Sequence, residues 1–187
     1  ALERAPILAI NKGELNKILA ILPFELTDSQ KQSLAEIISD FNQGRPMNRL
    51  LQGDVGSGKT VIAAIGALSA AKNLHQTAFM APTEILANQH YETIQKIFGA
   101  LLKEHKIETA LITSAVPAVA KKQLIQKIVA GEIKIVIGTH ALIQKDVRFK
   151  NLGFIIVDEQ HRFGVEQRAQ LTANSKEQIA NRNGADN

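Results

Sequence analysis

The sequence predicts an α/β fold, a mostly parallel sheet flanked by helices, and three observations carry that prediction. Short runs rich in Ile, Val, Leu, Phe and Ala alternate with longer helix-like segments between Arg49 and Asp158, the pattern of βαβ units around a parallel sheet. Two of the runs, IKIVIG at 133–138 and FIIVD at 154–158, are nearly continuous apolar stretches, as strands covered on both faces must be. Finally, Gly53-Asp54-Val55-Gly56-Ser57-Gly58-Lys59-Thr60 matches G-x-x-x-x-G-K-[ST] between an apolar lead (Leu50, Leu51) and an Ala-rich run from Val61 to Ala71. That is the strand–loop–helix setting of a phosphate-binding loop.

Taken in order, residues 1–22 are expected to be helical, with Ile7, Leu8, Ile10, Leu15, Ile18, Leu19 and Leu22 at mixed three- and four-residue spacing until Pro23 ends the stretch. Thr27 or Asp28 can cap a second helix running through Leu34, Ile37, Ile38 and Phe41, which Gly44 and Pro46 close. Strands are expected at 49–52, 77–81, 108–113, 133–138 and 154–158, and helices at 59–71, 83–98 and 117–130. Thr172 to Asn187 is polar, with Ile179 its single large apolar residue, and reads as a loop or frayed tail. The organisation is therefore a helical lead-in (1–45), one α/β domain (46–171) and a polar tail (172–187), without internal repeats.

The 187 residues suffice for one such domain with a sizeable core. Without cysteine there is neither a disulfide nor a Cys-based zinc site. No apolar run reaches the length of a membrane span, and Ala1 to Ala20 carries acid and base throughout, unlike a signal peptide. The chain does not begin with Met, which suggests a processed or excised piece. A net charge of +4 is compatible with nucleic acid but mild.

The chemistry concentrates at the carboxyl ends of the strands, where ligands sit in open α/β sheets. Glycines let the loop 53–60 turn backbone N–H groups inward, and with the following helix start these form an anion site. Lys59 is placed to reach the β- and γ-phosphates of a nucleotide, and Thr60 to offer its hydroxyl to Mg²⁺. Ile155-Ile156-Val157-Asp158-Glu159 is an apolar strand followed by two acids. Asp158 suits a cation, directly or through water, and Glu159 suits the attacking water. Adjacent carboxylates face opposite ways on a continuing strand, so both can serve one site only if the chain turns there. His161 follows at once, poised to sense the γ-phosphate.

Asp158-Glu159-Gln160-His161 together with 53–60 resembles the DExH motif pair of superfamily 2 helicases. More narrowly, Pro46 to Thr60 (PMNRLLQGDVGSGKT), Met80 to His90 (MAPTEILANQH), Gly138 to Ile143 (GTHALI) and Asp158 to Arg168 (DEQHRFGVEQR) resemble the RecG-type branch-migration DNA helicases from about Leu22 to Arg168. The transcription-repair coupling factor motor is similar at the loop and at HRFGV, while Glu84-Ile85, Gln160 and the PMNRLLQ lead-in look more like RecG.

The resemblance implies a RecA-like P-loop NTPase domain that uses ATP and Mg²⁺ to remodel stalled forks and Holliday junctions, in a cytoplasmic, nucleoid-associated bacterial setting. It implies adenine recognition by Phe24 and Gln30, whose amide can pair with adenine's edge. It also implies backbone contacts to branched or duplex DNA from Pro82-Thr83 and Thr139-His140, where hydroxyls and open N–H groups suit phosphate. A helix N-cap role for Thr83 and a turn role for Thr139 are compatible with this, and Thr113-Ser114 is left open as a further contact. Asn88, Gln89 and His90 are read as a solvated helix face.

A motif III strand, a second RecA-like domain with its arginine finger and a wedge domain, all implied by the resemblance, have no counterpart in these 187 residues. Family topology places the motif III strand between the loop strand and the DEQH strand. The sheet is therefore expected to be interrupted there, and the chain alone to be marginally stable. Hydrolysis by the chain alone is expected to be slight, since a trans arginine contributes about 10³–10⁵ in rate.

Overall fold

The computed structural model describes residues 5–53, 56, 58–144 and 146–159. Its elements are α1 (Lys12–Ala20), α2 (Asp28–Phe41), α3 (Lys59–Lys72), β1 (Gln76–Met80), α4 (Glu84–Glu104), β2 (Glu108–Ile112), α5 (Ala118–Ala130), β3 (Ile133–Gly138), a 3₁₀ turn (His140–Ile143) and β4 (Leu152–Val157). The four strands are parallel and lie in the order β2-β3-β1-β4.

The two apolar runs read as buried strands become β3 and β4, and β1 is buried at every position. Alternation along the strands supplies two cores. Phe79, Ile135 and Ile137 pack with α1 to α4 on one face. Ala78, Met80, Val136 and Ile112 pack on the other with Ile128 of α5 and with Leu142, Val147 and Phe149 from the connection to β4. α3 is buried over most of its circumference, as its Ala-rich sequence allows. Gly66 lets the Phe154 ring lie against the α3 backbone, since a Cβ there would stand 2.9 Å from Phe154 Cε1. That ring also meets Phe41 edge-on at 5.1 Å.

Two expectations change. Of the helix expected over 1–22, the described residues form only α1; residues 5–11 are irregular, with Leu8 and Ile10 buried and Ala9 exposed. Their alternation is the period of extended chain, and the backbone is held by Ala5 N–H to Gly44 O, Leu8 N–H to Phe41 O, Ser69 Oγ to Leu8 O (2.6 Å) and Asn73 Nδ2 to Ala9 O (2.8 Å). Asn11 then caps α1.

The strand expected at 49–52 does not form. Leu50 is 70 % exposed, and Arg49 is drawn to α2 by ion pairs with Glu36 (2.6 Å) and Asp40 (2.5 Å). β4 pairs with β1, and among the described residues no strand lies on its other side. Four residues of good strand composition form no ladder without a neighbour to complete it.

One buried side chain joins three segments. Gln76, fully buried at the start of β1, donates through Nε2 to Ile128 O (2.9 Å) and Ile133 O (2.8 Å) and accepts from Asn151 N–H at Oε1 (2.9 Å). Gln76→Leu keeps the bulk but takes the amide from Ile133 O and from the half-buried Asn151 N–H, while Ile128 O keeps the Gly131 N–H at 3.0 Å; each group left without its partner costs about 1–3 kcal/mol. Urea unfolding is expected to show a loss of about 2 kcal/mol or more; a loss below about 1 kcal/mol would show that other partners replace the amide.

Candidate nucleotide and metal site

Register builds the site. Met80 of β1 is level with Gly138 of β3 and Val157 of β4, so the residues following each strand, Ala81 to Thr83, Thr139-His140 and Asp158-Glu159, emerge along one edge. A bond from Asp158 N–H to Met80 O (2.8 Å) extends the ladder one step and fixes the first acid. The chain turns at once: Glu159 has φ 46°, the left-handed region. This is the turn that two adjacent acids require if both are to serve one site, and it holds a non-glycine residue in a conformation costing about 1–2 kcal/mol.

The glycine loop meets the same edge. Gly56 and Gly58 have φ of 83° and 75°, and Gly58 is the N-cap of α3 in the left-handed conformation. Lys59 and Thr60 open the helix, and Lys59 Nζ donates to Gly53 O at 2.5 Å across the loop. Asp54, Val55, Ser57 and His161 lie outside the described residues.

Thr60 and Asp158 come from different elements and converge on one imidazole. His90 Nε2 lies 2.7 Å from Asp158 Oδ2, and His90 Nδ1 lies 3.3 Å from Thr60 Oγ1. The His90 hydrogen bond, opposed by burial, holds the Asp158 carboxyl below the usual range, with smaller help from the Glu159 backbone and the Lys59 charge. His90 is a site residue that the sequence reading placed on a solvated face. It is 9 % exposed and shares the buried stripe of α4 with Ala87, Ile94 and Phe98. Spacings of three and four within LANQHYETIQKIF carried that signal.

The donors fit Mg²⁺. One carboxylate and one hydroxyl are hard oxygen ligands, and Mg²⁺ is usually held by one or two protein oxygens with water and phosphate completing its shell. The described residues contain no group of three or more His, Cys, Asp or Glu able to cage a metal by themselves.

Phe24 and Gln30, the residues expected to meet adenine, sit upstream. Gln30 completes a capping box with Thr27, accepting from Thr27 N–H at 2.7 Å, while Gln30 N–H donates to Thr27 Oγ1. Its amide reaches the glycine loop, and a Cβ on Gly58 would stand 2.5 Å from Gln30 Nε2. Phe24 is 43 % exposed and lines an open cleft of about 630 Å³ with Leu19, Leu22, Leu26 and Lys31.

Along the rest of the edge, Thr83 caps α4 by accepting from Leu86 N–H at 3.2 Å, and Pro82 precedes it half-buried. Ser114 Oγ and Ala115 N–H both donate to Glu84 Oε1, so the loop after β2 is tied to the start of α4. The Ser114 bond lowers the Glu84 carboxyl below its ordinary range. Of the pair Thr139-His140, Thr139 is 3 % exposed and held in the turn by backbone bonds to Ile112 O and from Leu142 N–H, while His140 is exposed. The side chain offered at the surface is therefore that of His140; Thr139 shapes the turn.

Residues 27–183 match the DEAD/DEAH box helicase family model. The chain is 47 % identical over 174 residues to the ATP-dependent DNA helicase RecG of Aquifex aeolicus and 49 % identical over 158 residues to that of Bacillus subtilis, covering 93 % and 84 % of this chain. It spans 22 % and 23 % of the length of those relatives. Among solved structures, RecG bound to a three-way DNA junction superposes with a TM-score of 0.74 at 46 % identity, over 85 % of this chain and 21 % of that one. A hypothetical ATP-dependent RNA helicase from Sulfolobus tokodaii, 18 % identical with a TM-score of 0.61 over 91 % of this chain and 47 % of its own, shares the fold.

Proposed function

The chain belongs to the DEAD/DEAH box helicase family, and from that premise we propose that it is the ATP-binding half of a RecG-like DNA motor. The longer protein hydrolyses ATP to remodel branched DNA such as stalled forks and Holliday junctions. The observation that carries the reading is the convergence of Thr60 and Asp158 on His90, beside Lys59 and at the carboxyl edge of a parallel sheet. The RecG matches favour this over the motor of a transcription-repair coupling factor and over a non-catalytic ATP-binding fragment.

In this reading the backbone N–H groups of 53–60 and the start of α3 hold the phosphates, and Lys59 offsets their charge. Thr60 and Asp158 hold Mg²⁺, which when bound neutralises charge on the phosphate oxygens. Glu159 orients the attacking water, and His161 reports the state of the γ-phosphate. Gln30 and Phe24 flank the adenine; Gln30 Nε2 already touches the loop, and Phe24 borders an open cleft. Pro82, Thr83, Thr139 and His140 form the DNA edge, with Thr83 and His140 reaching phosphate. A second RecA-like domain and a wedge domain of the same parent complete the machine, which works in the bacterial cytoplasm at the nucleoid. No helix of the described residues is long and apolar enough to cross a membrane.

The test is titration of a fluorescent ATP analogue into the 187-residue chain with and without Mg²⁺. Saturable, Mg²⁺-dependent binding is expected; a chain shown to be folded that binds no nucleotide would refute the assignment of the site to this half alone.

A further inference from the structure

The imidazole between Thr60 and Asp158 has a chemistry of its own. A neutral imidazole carries one donor and one acceptor nitrogen. An ionised Asp158 only accepts, so the 2.7 Å contact makes Nε2 the donor. In the neutral ring that leaves Nδ1 as acceptor, and the Thr60 hydroxyl 3.3 Å away as its donor. The ring cannot swing freely: it is 9 % exposed and stacked on Phe79 at 4.6 Å and 24°.

We propose that His90 is a positioning residue that orients both oxygen ligands of the Mg²⁺ site through this relay, an inference that rests on the nucleotide-site reading above. A hydroxyl ligates a cation through a lone pair, so its proton needs an acceptor elsewhere, and Nδ1 is that acceptor. A carboxylate with one oxygen held by a donor presents the other in a defined direction, and Nε2–H holds Oδ2. One side chain on α4 thus aligns ligands from α3 and from the end of β4, as partners of metal ligands do in other sites.

The experiment measures the Mg²⁺ concentration at half-maximal binding of the fluorescent ATP analogue, alongside binding in EDTA, for the wild-type chain, His90→Leu and His90→Gln. His90→Leu is expected to raise that concentration about 10–100-fold while leaving binding in EDTA unchanged. His90→Gln, whose amide nitrogen can replace Nε2, is expected to recover most of the loss. An unchanged midpoint in a folded His90→Leu chain, or a lower one because the ring obstructs the cation, would overturn the inference while leaving the nucleotide site standing. A wild-type chain without Mg²⁺-dependent binding would instead refute the site reading. The relay itself is read independently by ¹⁵N NMR of the imidazole: an Nε2–H tautomer whose Nδ1 resonance moves in Thr60→Val is expected, and an Nδ1–H tautomer would sink the proposal.

Discussion

Lys59→Ala is expected to remove Mg²⁺-dependent nucleotide binding from this chain and to lower hydrolysis by the longer protein about 10²–10³-fold or more, whereas Glu159→Gln stops hydrolysis and spares binding. Lys59 opens α3, where the helix N-terminus already favours an anion, and its ammonium spans the glycine loop to Gly53 O at 2.5 Å. Alanine therefore deletes the charge that stabilises phosphate and the cross-brace that shapes the loop, and preorganised charge of this kind is commonly worth that factor in rate. Glu159 leaves the sheet one residue after Asp158 at a left-handed turn, a position suited to water rather than to the nucleotide's grip. Binding isotherms beside steady-state hydrolysis separate the two residues. A Glu159→Gln chain that loses nucleotide as badly as Lys59→Ala would show that the roles are wrongly divided.

Gly138→Ala is expected to cost about 3 kcal/mol or more, enough to endanger a domain whose total stability is of order 5–15 kcal/mol. A Cβ at Gly138 would stand 2.2 Å from Ile112 O and 3.0 Å from Leu142 Cγ. Ile112 O is backbone at the carboxyl end of β2 and accepts from Thr139 N–H, so it cannot yield without opening the β2–β3 register. The damage falls where β3 hands the chain to Thr139 and His140, so the DNA contact proposed for that turn is expected to weaken along with the lower melting temperature. A variant melting within a few degrees of wild type would show that the turn re-forms around the methyl.

Much of this was legible in the sequence because the information was local. Thr27 and Gln30 form a box from two residues three apart, and the helix they cap runs from Asp28 to Phe41 as its apolar spacing predicts. IKIVIG became β3 with the expected bounds. The acids after FIIV stand at a strand end and the chain turns between them, as the chemistry required. What escaped depends on partners distant in sequence. Arg49 to Gln52 reads as a strand by composition, but a strand needs a ladder, and Arg49 finds Glu36 and Asp40 instead. Leu8 and Ile10 suggest a helix when counted with Leu15 and Ile18, yet Ser69 and Asn73 of α3 take the backbone of that segment as extended chain. His90 looked polar and therefore wet; that its stripe faces Thr60 and Asp158 is set by where α4 packs, which short-range spacing cannot reveal.

The same helix has a mechanical consequence. α4 begins after Thr83, on the edge proposed to face DNA, and carries His90 two turns later against both proposed metal ligands. The intervening turns are continuous helix, with neither glycine nor proline before Gly99, and span about 10 Å. Such a segment behaves as a strut, with no joint between Thr83 and His90, so the two ends would move as one body. Glu84, bonded to Ser114 and Ala115, couples the loop after β2 to the same strut.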